Sequence, residues 1–162
     1  TARSAGAGAV LDVTDPASHA AFAANLQGRP LDLLICNAGV YLDKGDDLDT
    51  GFGPDLWAQS FATNVTGVFL TVQSLLPNLR AAKGAKIAII ASQMGSQTRA
   101  PGGSYIYRAS MVGEHTACKG HVGIRVGNTK RHLIMHIIHT SGISLLHSAS
   151  VSHGGGDIRM AI

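Results

Sequence analysis

Short aliphatic runs alternate along the chain with longer stretches whose apolar residues recur at helical spacing. "AVLDV", residues 9–13, reads as a short buried strand, followed by Asp15 as a helix N-cap and Pro16 at the first helical position. The alanine-rich stretch 17–26 continues as a helix, which Gly28 and Pro30 end. Residues 31–36 form an aliphatic run of strand length, the pattern of a strand covered on both faces. Asn37, Ala38 and Gly39 leave that strand, and 40–54 is an acidic, glycine-containing loop. The spacing of Leu56, Phe61, Val65, Val68, Phe69, Val72 and Leu76 predicts one long helix over 55–82, with Pro77 kinking or shortening its end. "KIAIIAS", residues 86–92, is a third buried strand, and a turn-rich loop over 93–103 leads into a helix starting near Ser104.

That order predicts an α/β fold: a doubly wound parallel sheet with flanking helices and ligands at the carboxyl ends of the strands. Asn37 and Ser92 fall at that edge. At 162 residues the chain suits a single domain. Beyond Met111 the pattern blurs. Three glycines, Gly113, Gly120 and Gly123, interrupt what should be a long helix, 132–139 fits a strand or a helical turn, and 147–158 reads as a low-complexity loop.

Charge sharpens that boundary. The net charge of +3 would suit a nucleic-acid partner, but residues 1–110 carry eight basic and eight acidic side chains, so the excess lies wholly in 111–162. Seven of the eight histidines lie there too. No nucleic-acid partner is expected, and no apolar run approaches the ~20 residues that span a bilayer. Cys36 and Cys118 are isolated thiols, which fits a reducing compartment and makes the cytoplasm the expected location.

Five motifs carry chemistry: "LDVTD" (11–15), "NAG" (37–39), Asn64 in "NVTG", Ser92 closing its strand, and "YRAS" (107–110). In this order and on these elements they resemble the short-chain dehydrogenase/reductase family, over about residues 9–110. "GGSYIYRAS" is similar to a subgroup of small carbonyl reductases related to bacterial C-factor proteins. The resemblance implies a Rossmann-like domain and hydride transfer between NAD(H) or NADP(H) and a small carbonyl or alcohol, in a homo-oligomer, dimer or tetramer. It implies Tyr107 as general acid or base, Ser92 as the hydrogen-bond donor to the substrate oxygen, and Asn64 as the holder of a relay water. It also implies cofactor contacts from Asp12, Val13, Asn37, Ala38 and Gly39. Tyr105 is the alternative tyrosine, but Ala109 lies four residues after it.

The sequence departs from that family in three places. Position 111 holds Met where the pattern Y-x-x-x-K has lysine, which leaves Tyr107 without a cation to ease its ionisation. The family's first strand and glycine-rich turn do not appear, since "AGAGAV" (5–10) precedes a strand instead of following one. The domain is thus expected to be a truncated Rossmann-like unit over 1–162, with 111–162 an atypical tail that suggests a reading-frame shift after Ser110. Both losses should impair activity, so a non-catalytic oligomeric scaffold of the same fold is the alternative function.

Weaker signals point elsewhere. "ARSAG" (2–6) fits a serine-esterase nucleophile elbow but does not join strand to helix. His132, His136 and His139 would share one helical face, yet no carboxylate follows to orient their rings, and no metal site is expected. "DLDTG" (47–51) is half a calcium loop without its closing glutamate, so a solvated turn is expected there.

Overall fold

The computed structural model describes residues 10–98 and 100–119 and the segments 125–126, 131–132, 134–140, 150–154 and 157–161, with side chains through residue 117. Helix α1 spans Pro16–Asn25, and its N-cap Asp15 accepts the N–H groups of Ala17 (2.9 Å) and Ser18 (3.2 Å). A cap of this kind is worth about 1 kcal/mol. His19 and Phe22 form the buried face of α1, which packs against helix α3, Val68–Ala81.

Strand β1, Leu33–Cys36, lies between β2, Lys86–Ser92, and β7, Asp157–Ala161, and runs parallel to both. Beyond β2 comes β5, Ile134–Thr140, also parallel; beyond β7 comes β6, Ser150–Gly154, which is antiparallel. The sheet order is β5-β2-β1-β7-β6, and β3 (Arg125–Val126) and β4 (Arg131–His132) pair separately. The core gathers Leu11, Phe22, Leu34, Leu75, Leu79, Ile87 and Ile89 between sheet and helices. The α/β class, the parallel sheet and the flanking helices agree with the sequence.

Several expectations are corrected. Residues 10–12 form no strand: none of the described segments pairs with them, and the Asp12 N–H is taken by the Ser18 hydroxyl at 2.9 Å. Leu34 and Cys36 on one face of β1 are buried, but Leu33 and Ile35 on the other are half-buried. The long helix expected over 55–82 is present and continuous over 54–81, with one widened π-helical turn (Ala62–Gly67) between α2 (Pro54–Phe61) and α3. Pro77 does not end α3, because Pro77 and Gln73, whose carbonyl loses its partner there, both lie on the exposed face. Helix α4, Tyr105–Lys119, runs through Gly113, where a Cβ would stand 3.2 Å from Val65 Cγ2; the glycine lets α4 cross the π-turn closely. Residues 150–154 and 157–161 are strands rather than loop, because they pair with each other and the second pairs with β1.

Candidate active site

The parallel strands bring the turn after β1 and the end of β2 to one edge. Cys36 pairs with Ile89, so Ser92, three residues beyond that level, and the turn of Asn37, Ala38 and Gly39 lie at the same edge of the sheet. Ser92 caps a short 3-10 turn, Gln93–Gly95, by accepting the Met94 N–H at 3.2 Å. Helix α4 packs on this turn so tightly that a Cβ on Gly95 would lie 3.0 Å from the Cβ of Met111.

Ser92 lies near enough for its hydroxyl to act on the Tyr107 phenol. Burial pushes the Tyr107 phenol above its ordinary value, against the pull of a hydrogen bond from Ser92; Glu114 and Tyr41 push it further up. Tyr105 points elsewhere, with its ring edge-on to Phe52 and 39% of its surface exposed. Met111 follows Tyr107 by one helical turn and is buried, so an apolar thioether occupies the face where an ammonium would have lowered the phenol's pKa. Glu114, three residues on, is also buried, its Oε2 has no partner among the described residues, and burial pushes its carboxyl up to about 8.

Asn64 lies in the π-turn and is fully buried. Its Oδ1 accepts the Val40 N–H (2.8 Å), while its Nδ2 donates to the Val40 carbonyl and to the Ser110 hydroxyl (2.9 Å each). Asn64 thus links the turn after β1 to α4. Both side-chain N–H bonds are spent, so a water held at this residue would use its other polar atoms. A Cβ on Gly39 would lie 3.5 Å from Asn64 Oδ1, an ordinary contact.

At the other end of the edge, the Asp12 carboxylate accepts the N–H (2.9 Å) and the hydroxyl (2.7 Å) of Thr14, which hold it below the usual carboxylate range. The backbone of Val13 approaches the end of the π-turn at Gly67, where a Cβ would stand 2.9 Å from the Val13 carbonyl oxygen. Val13, Cys36, Ala38, Thr63, Val68 and Thr71 line a small cavity that joins this turn to the one after β1. The half-buried Asn37 amide has no hydrogen-bond partner among the described residues.

Sequence reading missed Asp43 and Tyr41. Asp43 is fully buried and accepts the Ile106 N–H at 2.9 Å and the Tyr107 N–H at 3.2 Å, so it caps α4 from a distant loop. Tyr41 stacks on Tyr107, with ring centroids 4.3 Å apart, and hydrogen-bonds the Ser104 hydroxyl. Nothing in the acidic loop distinguishes Asp43 from Asp46, Asp47 or Asp49 in sequence.

The other candidate sites carry less. Asp47 accepts the N–H and hydroxyl of Thr50, a local turn. Residues 134–140 are a strand, so the helical histidine face does not form, and no metal-binding group occurs among the described residues. "ARSAG" lies outside the described residues. No helix among the described residues is long and apolar enough to cross a membrane.

Comparison with known proteins bears on the family and the fold. Oxidoreductase UcpA of Escherichia coli (strain K12) is 35% identical over 114 residues, covering 64% of this chain and 40% of UcpA. C-signal of Myxococcus xanthus is 35% identical over 103 residues, covering 61% of this chain and 59% of C-signal. The chain therefore spans only part of the length of these curated relatives. Among solved structures, the NADPH-bound carbonyl reductase from chicken fatty liver superposes with a TM-score of 0.68 at 27% identity, over 81% of this chain and 56% of that one. The short chain dehydrogenase model matches residues 3–115, and with the sheet and the motifs described above it makes this chain a member of the short-chain dehydrogenase family.

Proposed function

We propose that this site reduces a small carbonyl compound to an alcohol with NADH or NADPH, slowly, using Tyr107 as the proton donor. The observation that carries the reading is the nearness of the Ser92 hydroxyl to the Tyr107 phenol, at the sheet edge that also carries the turn of Asn37, Ala38 and Gly39.

The residues fit a nicotinamide dinucleotide at its adenine end. The Asp12–Thr14 turn is closed against the end of the π-turn, Ala38 and Gly39 allow close backbone approach, and the Asn37 amide is free of protein partners among the described residues. The fit is weaker beside Tyr107, where buried Met111 offers no cation to ribose hydroxyls. Such a cofactor supplies the hydride. Ser92 would donate to the substrate oxygen as charge develops on it, and Tyr107 would transfer its phenolic proton to that oxygen. Asn64 would hold the Tyr107 helix and the cofactor-side turn in register through Ser110 and Val40. A phenol held above its ordinary pKa stays protonated at neutral pH, which favours reduction over oxidation. Lack of a neighbouring cation should slow alcohol oxidation by roughly 10 to 1000-fold.

A non-catalytic scaffold of the same fold is the second reading, favoured by the Tyr41 ring that covers one face of Tyr107 and by Met111. The test is oxidation of NADH or NADPH with a panel of aldehydes and ketones. Turnover lost in Tyr107→Phe and reduced in Ser92→Ala supports the reductase. A stable oligomer with neither turnover nor a thermal shift on adding either cofactor supports the scaffold.

A further inference from the structure

We infer that Asp43 is the positioning residue that aims Tyr107, acting through the first turn of α4 from 64 positions away in sequence. The inference rests on the reductase reading only for its kinetic consequence. A helix leaves its first backbone N–H groups without intrahelical partners, and these are usually met by a side chain adjacent in sequence. Here the approach to α4 consists of Gly102, Gly103 and Ser104, all at positive φ (93°, 70° and 50°), and its first-turn donors turn instead to the carboxylate of Asp43. Oδ2 reaches both the Ile106 N–H (2.9 Å) and the Tyr107 N–H (3.4 Å), and Oδ1 also reaches the latter.

The burial of Asp43 makes this costly to lose. The residue is 0% exposed, and its side chain has no other hydrogen-bond partner among the described residues. The charge is therefore balanced by the N–H groups and positive end of α4, and those groups have no water to replace it. The same loop grips the helix at two more points. Tyr41 stacks on the Tyr107 ring and bonds Ser104, and Val40 is joined through Asn64 to Ser110. Residues 40–43 thus form a strap fixing both the backbone and the ring plane of Tyr107. A misplacement of about 1 Å at a reacting group can cost on the order of 100-fold in rate.

The test uses the full chain as wild type, Asp43→Ala, Asp43→Asn and Asp15→Ala, each also made in a Tyr107→Phe background. The difference in phenolate absorbance between each pair reports the titration of Tyr107 alone. In Asp43→Ala the phenol should leave its desolvated seat and titrate closer to the ordinary tyrosine value. Asp43→Asn keeps one oxygen able to serve both N–H groups and should restore most of the wild-type titration. Asp15→Ala removes the cap of α1 and should lower the melting temperature without moving Tyr107. Equal titration in Asp43→Ala and wild type would overturn the inference. Should Asp43→Ala not fold, amide exchange in the wild type decides: slow exchange at Ile106 and Tyr107 supports the cap, and the fast exchange of ordinary first-turn amides overturns it. Where turnover is measurable, kcat should fall about 100-fold in Asp43→Ala with KM nearly unchanged. A shifted titration without turnover in any variant would uphold the positioning role and refute the reductase reading.

Discussion

Asn64 and Val40 bond each other twice, N–H to Oδ1 at 2.8 Å and Nδ2 to carbonyl at 2.9 Å, across 24 positions of sequence. The pair is part-buried, and the third bond, to Ser110, is buried. Asn64→Ala would leave the Val40 N–H and carbonyl without partners, at ~1 to 3 kcal/mol for each unsatisfied group, while the Ser110 hydroxyl keeps its bond to the Tyr107 carbonyl. Urea denaturation should show a loss of about 2 to 4 kcal/mol. Asn64→Asp should be no milder, since its second oxygen would face the Val40 carbonyl.

Gly67 is required by contact rather than by backbone conformation. A Cβ there would stand 2.9 Å from the Val13 carbonyl oxygen and 3.0 Å from Val13 Cβ. Gly67→Ala should cost about 1 to 3 kcal/mol as the Val13 turn is pushed from the π-turn. Gly84→Ala meets nothing within 4 Å and is the control. It should stay within about 0.5 kcal/mol of wild type in the same denaturation experiment.

Glu114 makes stability depend on pH. Its folded carboxyl is pushed up to about 8 from 4.5, so the folded state binds more protons than the unfolded chain between those values. The contribution is fully present below pH 4.5 and is lost as pH rises through 8. Glu114→Gln, which resembles the protonated acid, should match wild type at pH 5 and exceed it by about 2 to 5 kcal/mol at pH 9. Denaturation midpoints at the two pH values check this; a constant difference would show that Glu114 is not the titrating group.

Most of the fold was legible because burial and period agree. β2 spans the residues read as a strand, and α1 begins at Pro16 after the Asp15 cap. The strand expected at 9–13 was misread because an aliphatic run needs a ladder partner to become a strand, and the Asp12 N–H found the Ser18 hydroxyl instead. The π-turn inside the long helix was illegible for a related reason. Apolar spacing over 55–82 is continuous, but the widened turn places Asn64 against Val40 and Ser110, contacts 24 and 46 positions away. The motifs named Tyr107, Ser92 and Asn64, whereas Asp43 and Tyr41 act through tertiary contacts that one sequence does not encode locally.

The direction of chemistry follows from the protonated phenol. Carbonyl reduction should stay nearly constant from pH 6 to about 9 and decline as pH rises through the raised Tyr107 value, while alcohol oxidation should rise about tenfold per unit over that range. Initial rates in both directions across pH check the sign.

The most direct measurement is the initial rate of NADPH or NADH oxidation with an aldehyde, and of the reverse alcohol oxidation, in wild type, Met111→Lys, and Met111→Lys combined with Tyr107→Phe. Lysine at 111 would share a helical face with Tyr107 and Glu114, so its ammonium could approach the phenol. Reduction should persist in Met111→Lys, the reverse oxidation of the alcohol should rise by about 10-fold or more, and both should vanish when Tyr107 is also replaced. No turnover in Met111→Lys, or turnover that survives loss of the Tyr107 hydroxyl, would contradict the assignment of this edge as a reductase active site.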